Sequence, residues 1–596
     1  MANTSVLQSA MANALNNISQ TLLQNQKAID IVNNNIANLN TEGYSRVEAG
    51  FSSLPTGGTL LSEAKRVFDK NYFVRMINTN QEKSYYENLN STLNQLESLF
   101  KDSLGGGFSK QIDEFYNSLN DVISSPDDLV ARKSFLTTAK MLVGRVRSVS
   151  EGMNDLGGLV KNSFRETVMQ INNLARRITD LNKNIKYFAN DQTKLNSYLD
   201  QRDQAIKKLS SLIDIKVLYH QNNTVDISTA KGHMLVLQDK ATPIQTRTNK
   251  ITMVNSYAVA PANTLSSPKD VITDPGTLTI NYKLDGKDKS FSVDYQNRSL
   301  LDIAAEINSQ SDDLKANVVN VGDQTNPDYR LTISTTMQNV QNEIVSIEDS
   351  DANDTTGFDI NNSNEIYKQN YATLRVLSGS VDLTNLFQYG KIASLIKSQS
   401  LINQALYNVN RFTQDFAYQI NSVHRNGYNL DNETGLDLFI SEQSGNGLGV
   451  DATNIRLNFE DPEKLAAGTK QNMPADNTLA KAIEKTKDGT ISYFDSATNS
   501  LQEYEQPDFL DGLTYNDFYN SKIVSDIAFE AEYTKDRLDD TTLLFNTLNE
   551  KIEDISGVNL DEELVKLTQL QRSYQATARV MMVTDELFKT LIEMTR

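Results

Sequence analysis

Three stretches of the chain carry residue types that could do chemistry. In LDQRDQ (199–204), Asp200 and Asp203 flank Arg202, the ingredients of an acid–base pair or an ion pair. On a helix the two acids lie three residues apart and Arg202 does not fall squarely between them, so a solvated or inter-helix polar contact fits the spacing better than catalysis. His424, with Asn421 and Asp431 close in sequence, forms a second polar group. No Ser or Cys nucleophile motif accompanies it, and a structural histidine ending a helix is expected. The third kind is acidic. Asp349, Asp351, Asn353 and Asp354 begin like a cation loop, but the sixth position needs Gly and holds Asp354, and the twelfth needs an acid and holds Ile360. Asn429, Asp431 and Glu433 fail in the same way, with Thr434 and Ile440 in those places, and no HExxH pair is present. We expect no catalytic residue, no metal and no cofactor.

Bulk properties agree. With Lys+Arg 57 against Asp+Glu 76 the net charge is −19, and no cluster of Lys and Arg offers a phosphate-binding surface, which argues against nucleic acid and anionic membrane as partners. The absence of Cys removes disulfides, thiol catalysis and thiolate metal sites together, and three His (His220, His233, His424) leave little imidazole chemistry. No apolar run is long enough for a membrane span, and the first residues lack the basic start and continuous apolar core of a cleavable signal. Composition alone therefore points to the cytoplasm. A chain of 596 residues exceeds one core, so several domains are expected.

The elements that must hold these residues divide by period. Apolar spacing predicts one helix from Phe68 through Phe100, ended by Gly105, Gly106 and Gly107, and a second over about 108–123. Ser125, Pro126, Asp127 and Asp128 open another, with Ser125 as cap, Pro126 in the first turn and acids at the positive end of the dipole. It runs toward Ile213 with breaks expected at Gly144, Gly152 and Gly157. Thereafter the period becomes two in IKVLYH, TVDIST and HMLVLQ, with Asn222, Asn223 and Gly232 turning between them. Residues 277–335 read strand, strand, helix, strand, strand, inside an inserted domain of short strands over about 240–372. A helical pattern returns from Val381 to Val423, breaks in a Gly- and Asp-rich region through about 515, and resumes near Asp517. The last helix starts at Asn559, an N-cap followed by Asp561, Glu562 and Glu563 in the first turn.

The two ends pose one problem twice. In the first forty residues Leu7, Met11, Ala14, Ile18, Leu22, Ile29, Val32, Ile36 and Leu39 recur in steps of three and four, interrupted only at Asn25. That spacing is a heptad seam, surrounded by the neutral amides Asn33, Asn34, Asn35, Asn38 and Asn40 where ordinary helices carry Lys and Glu. At the other end Leu560, Leu564, Leu567, Tyr574, Ala578, Met581, Phe588 and Ile592 make a similar stripe, widened by Leu570, Val580, Val583, Leu587 and Leu591. Each is more apolar than a free surface helix, and a lone helix of this kind is not self-sustaining. The economical solution is that the two pair with each other and then with neighbouring copies.

The Asn-rich helix closing in IANLNTEGYSR (36–46) resembles the N-terminal signature of the flagellar axial proteins, the rod, hook and hook-associated group. In order, SSPDDLVARKSFLTTAKML (124–142), LDQRDQAIKKLSSLIDI (199–215), INSVHRNGYNLDNETGLDLF (420–439) and SGVNLDEELVKLTQLQRSYQATARVMMVTDELFKTLIEM (556–594) are similar to the hook-associated proteins that form the hook–filament junction. The resemblance covers about 1–236, 375–440 and 515–596. SLLDIAAEINSQ, ANVVNV and YRLTIST, between 299 and 335, are also similar to a strand-and-helix module of variable outer domains in flagellins and filament caps.

The resemblance implies an extracellular structural subunit whose terminal helices are unfolded during flagellar type III export and then pack as a coiled coil in the inner tube of the axial structure. It implies partners as well: further copies in a ring, the hook protein, a second junction protein, and an export chaperone on the C-terminal helix from Leu564 to Ile592. The assembly residues are then both seams, with a polar row and turn of Asn34, Asn35, Asn38, Asn40, Gly43 and Tyr44. The amides are expected to hydrogen-bond across subunits and Gly43 to allow the sharp helix exit.

The expected fold is multidomain and mainly α with β-rich inserts. A terminal coiled-coil domain takes 1–50 with 556–596, and a helical rod-like middle takes 51–236 with 375–440 and 515–555. A β-rich outer insert takes 237–374 and a smaller irregular one 441–514. Alternatives are a hook or rod protein, a surface adhesin using the β-rich insert, and a hydrolase hidden in that insert.

Overall fold

Amphipathic runs at both ends become long helices, and the period-two runs between them become sheets. The computed structural model describes the chain apart from residues 1, 54–58, 101–106, 285, 336–341, 352–356, 444, 446, 448, 496–497, 506–512 and 595–596. Gly105, Gly106, Asn353 and Asp354 lie outside the described residues. The helices are α1 (Ala2–Ala37), α2 (Lys70–Phe100), α3 (Phe108–Ser124), α4 (Leu129–Tyr187), α5 (Gln192–Leu212), α6 (Leu300–Gln310), α7 (Gly390–His424), α8 (Thr478–Lys485), α9 (Tyr515–Phe518), α10 (Ser525–Ser556) and α11 (Leu560–Met594). A π-helical segment, Tyr519–Val524, joins α9 to α10.

A body built on α2, α3, α4, α5, α7 and α10 shares one core. Aromatic rings fill its centre: Phe115 lies 4.9 Å from Phe135 and 5.2 Å from Phe416, with edge and tilted contacts that such rings favour. An antiparallel meander, Ile215–Tyr219, Val225–Thr229, Met234–Leu237 and Lys240–Ala241, follows α5, as the alternation predicts. Asn223 and Gly232 take positive φ in its turns. Strands Gln245–Pro261 and Phe358–Ser378 then pair antiparallel as a long arm. Between them, strands 277–284, 287–294, 314–320 and 329–335 and α6 appear in the expected order and carry a second core of Leu278, Ile280, Ile303, Ile307, Val318 and Ile333.

Three local expectations fail for identifiable reasons. Ser125 does not cap α4; it ends α3, and the Asp128 carboxylate accepts from the Val130 N–H. Pro126 thus stands before the helix, its carbonyl accepting from Arg132 Nε at 2.5 Å. The glycines do not break α4; the break comes instead after Tyr187, short of Ile213, where the Asp191 carboxylate opens α5 by accepting from the Lys194 N–H, and α4 runs unbroken for 59 residues. Val143, Val146, Val149, Met153, Leu156 and Val160 are buried through that stretch, and their burial outweighs the roughly 1 kcal/mol per Gly. A Cβ at Gly152 would collide with Leu99, so the missing side chain lets α2 approach. Third, Val381 does not begin a helix: Val381–Asp382 fold back on Leu377 and Ser378 as strand. Helix α7 begins only at Gly390, whose φ of +79° and contact with the Leu212–Ile213 backbone exclude a side chain.

Candidate functional site

The unusual terminal stripes meet. Helices α1 and α11 lie side by side, running in opposite directions: Asn25 Nδ2 reaches Ser573 Oγ at 3.4 Å, and ten residues further on Asn35 Nδ2 donates to Glu563 at 2.9 Å. Asn559 caps α11 as its sequence predicts, accepting from the Asp561 and Glu562 N–H groups. Two helices cannot cover each other completely. Along α1, Ala28, Val32, Asn25 and Asn35 are buried and Met11, Ile18, Leu22, Ile29 and Ile36 are half-buried, while Leu39, just past its end, is 37% exposed. The Leu7 side chain lies outside the described residues. Along α11, Leu567, Ala578, Met581 and Phe588 are half-buried, and Leu560, Leu564, Tyr574 and Ile592 are somewhat more open, at 37–44% exposed. A second row, Val565, Val580, Met582, Val583 and Leu587, is more than half exposed.

The polar row divides. Asn34 and Asn40 are exposed, but Asn35 is spent inside the chain. Its amide exchanges bonds with Val47 at 2.9 and 3.0 Å, accepts from the Tyr44 hydroxyl at 2.8 Å and donates to Glu563. Asn38 closes the end of α1 by donating to the Asn34 carbonyl. For Asn35 the expectation of bonds across subunits is corrected: all four bonds its amide can make are used inside the chain. Gly43 is corrected as well. Helix α1 ends at Ala37, and Gly43, with φ +77°, belongs to the following turn, where a Cβ would run into the Gln204 side chain.

From that turn the chain is anchored to the body. Arg46 N–H donates to the Ser556 carbonyl at 2.7 Å, and its guanidinium pairs with Glu562 at 3.3 Å, spanning the bend between α10 and α11. A hairpin of Val47–Ser53 and Thr59–Arg66 then delivers Arg66 onto α5. There Arg66 pairs with Asp200 and Asp203, each at 2.7 Å, while Arg202 meets Asp203 at 2.8 Å. The Ser45 N–H points at Asp200 from 3.4 Å, and Gln204 donates to the Glu42 carbonyl. The LDQRDQ stretch is therefore an inter-element contact, and a buried rather than a solvated one. Burial pushes Asp200 up to about 6 against the opposing pull of Arg66. Burial works against the charge on Arg66, but Asp203 and Asp200 outweigh it and raise the guanidinium above its ordinary value. Burial, Asp200 and Glu563 push the Tyr44 hydroxyl up to about 12. An open cleft of about 1010 Å³ lies at this junction, lined among others by Tyr44, Arg46, Arg66, Gln204 and Glu562.

The other chemistry-bearing residues are structural. His424 closes α7 as expected: Nδ1 lies 2.6 Å from the Leu436 carbonyl and Nε2 accepts from the Ala466 N–H at 3.0 Å, and burial lowers it to about 4. Asn421 serves Leu438 and Phe439 instead, and Asp431 faces Lys464 at 3.0 Å. Lys464 also pairs with Glu433 at 2.7 Å, occupying that acidic loop with a cation. Asp349 accepts from Tyr295, Asp351 and Phe358. Among the described residues no group of three or more His, Cys, Asp or Glu is placed to hold a metal, and no helix is long and apolar enough to cross a membrane. Ala28, Arg46, Arg66, Gln204 and Glu563 join the site without notice from the sequence. Of these only Glu563 carries a local signal, as an acid in the first turn of α11, and that signal does not reveal its burial against Asn35.

The model for the flagellar hook-associated protein FlgK helical domain matches residues 93–313 and 315–439, more than half of the chain. Models for the flagella basal body rod protein and for the C-terminal part of the flagellar basal body rod FlgEFG protein match 15–44 and 554–594, within the terminal pair and its bend. Flagellar hook-associated protein 1 of Bacillus subtilis (strain 168) is 22% identical over 602 residues, covering 96% of each chain. Its counterpart in Escherichia coli (strain K12) is 23% identical over 604 residues, covering 98% of this chain and 100% of the relative. The solved flagellar hook junction protein FlgK from Burkholderia pseudomallei aligns at 11% identity with a TM-score of 0.49, over 81% of this chain and 100% of that one.

Proposed function

The chain belongs to the family of flagellar hook-associated FlgK proteins and is a structural component of the flagellum, and from that membership we propose that it joins hook to filament. The observation that carries the reading is the α1–α11 pair, tied to the body by Arg46 and Arg66 and left with an apolar stripe that one chain cannot cover. Further copies complete the covering, so that the terminal helices pack as coiled coils in a ring at the distal end of the hook. The completed ring presents a new end to a second junction protein. Before assembly the terminal helices pass unfolded through the flagellar type III apparatus, and an export chaperone holds the stripe from Leu564 to Ile592. Half-coverage supports this order of events: a pair with few fully buried side chains opens at low cost.

In this reading 1–50 with 556–596 is the assembly domain, and 51–236 with 375–440 and 515–555 is the rod-like spacer. Residues 237–374 face outward, whereas 441–514 is set against the spacer, with Val450, Ile455, Leu465, Leu479 and Ile483 in its core. The testing experiment is electron microscopy of cells lacking the chain, with flagellin assayed in the spent medium. Bare hooks with shed flagellin are expected. Missing hooks would move the protein to the rod or hook, and normal filaments would overturn the reading.

A further inference from the structure

Two rows of side chains on the body stand in solvent although two of the five members of each are of a kind that is normally covered. On α4 the row is Arg165, Met169, Arg176, Lys183 and Tyr187, spaced four, seven, seven and four apart and so on one face of the helix. Met169 is 57% and Tyr187 82% exposed. Between residues 161 and 187 six bases meet only two acids, in a chain of net charge −19. On α10 the row is Phe529, Glu532, Asp536, Leu543 and Glu550, again on one face. Phe529 is 73% and Leu543 71% exposed, and α10 carries nine acids against three bases. Each row sets two large apolar or aromatic residues among three charges, and the charges of the two rows have opposite signs.

They also stand on different flanks and at similar heights. Helix α10 packs along α2, whereas α4 packs along α3, α5 and α7. Both run antiparallel to α2. Tyr519 reaches the Phe100 carbonyl and Ala531 packs on Leu89 and Leu93, while Arg145 donates to the Leu99 carbonyl. Below them α5, which doubles back on α4, carries Lys207 between Asn80 and Asn549. At about 1.5 Å per residue, Arg165 then lies near the height of Asp536, Met169 near Leu543 and Arg176 near Glu550, to within about two helical turns.

We propose that the two rows are the halves of one lateral contact, the basic face of α4 in one copy seating against the acidic face of α10 in the next. The inference rests on the ring reading above and adds a contact outside the terminal helices. Such a contact is head-to-tail, the kind that propagates around a ring when the rotation closes. Met169 and Leu543 supply its apolar centre, and the charges fix which face meets which.

Charge exchange in the full chain in motile cells tests it. Arg165→Glu with Arg176→Glu, and separately Asp536→Arg with Glu550→Arg, is each expected to lower the fraction of hooks bearing filaments by about tenfold, and all four together to restore it to within about twofold. Because the chain has no Cys, Met169→Cys combined with Leu543→Cys gives a second readout: a bismaleimide added to isolated flagella is expected to produce a ladder of linked copies that neither single variant produces. All six substitutions are on exposed side chains, and an unchanged circular dichroism spectrum of the purified variants establishes folding. Failure of the quadruple variant to recover, or absence of a ladder while the chain is present in the flagella by immunoblot, overturns the lateral contact and leaves the junction reading standing. Absence of the chain from flagella with filaments intact overturns both.

Discussion

Replacing Arg66 by Met keeps most of the side-chain volume and removes the cation from the cluster that ties the hairpin to α5. The Asp200 carboxylate then keeps only Ser45, through its side chain and its N–H at 3.4 Å, while Asp203 keeps Arg202 at 2.8 Å. Breaking a buried pair by removing one partner costs about 3–5 kcal/mol because a buried charge is left behind. Asp200 has an escape that caps the loss: burial already holds it up at about 6, so it can take a proton at about 1.4 kcal/mol per pH unit. The sign follows. A carboxyl raised from its ordinary value near 3.8 contributes stability that is fully present below that value and lost as the pH rises through about 6. The Arg66→Met loss should therefore be largest at pH 8 and smaller at pH 5. The assay is amide hydrogen exchange in the hairpin Val47–Ser53 and Thr59–Arg66, where opening faster by about a hundredfold or more at pH 8 is expected. Lys83→Met, which breaks an exposed pair with Glu87, should change local exchange by less than about threefold. An Arg66→Met effect no larger than that of Lys83→Met, or one that grows toward pH 5, would refute the reasoning.

Three further outcomes follow from the same geometry. His424, held neutral by burial with a value of about 4, contributes stability present above its ordinary value near 6.5 and lost as the pH falls toward 4. The protection factor of the Ala466 amide should fall between pH 6.5 and 4.5 in the native chain, and this pH dependence should be absent in His424→Gln, whose own protection is lower throughout. Asn35→Ala removes the partner of Val47, Tyr44 and Glu563 together and should cost about 2–4 kcal/mol, read as earlier release of both terminal helices in limited proteolysis. Ile36→Lys or Met581→Glu, each a charge placed on a half-buried stripe position, should block incorporation into flagella while the body melts as in the native chain; normal incorporation of both would remove the terminal stripes from assembly.

Helices α2 and α3, the meander after α5, the cap at Asn559 and the strand–strand–helix–strand–strand order of 277–335 were legible because each depends on contacts within a few residues: a period, a cap, a turn. Helix α7 was legible only in part. Its second half, from Ala405 to His424, is buried all around although it carries Asn408, Asn410, Arg411, Gln414, Asp415 and Gln419, a composition that reads as a solvent face. Partners far along the chain make that burial tolerable. Asn403 donates to Ala372, Asn408 to Lys522 and Arg411 to Thr335, while Asn410 accepts from Ala452.

The same division runs through the candidate site. From the sequence alone came the two apolar stripes, the amide-rich end of α1 and the absence of nucleophile and metal-ligand patterns, since periodicity and composition are properties of neighbours in the chain. Only the tertiary structure decided that α1 and α11 run antiparallel in a register set by Asn25–Ser573 and Asn35–Glu563, that Asn35 is spent inside the chain, and that Arg66 answers Asp200 and Asp203 from more than 130 residues away. A buried charge or amide is stable only where a partner meets it, and which partner arrives is a matter of how the elements pack.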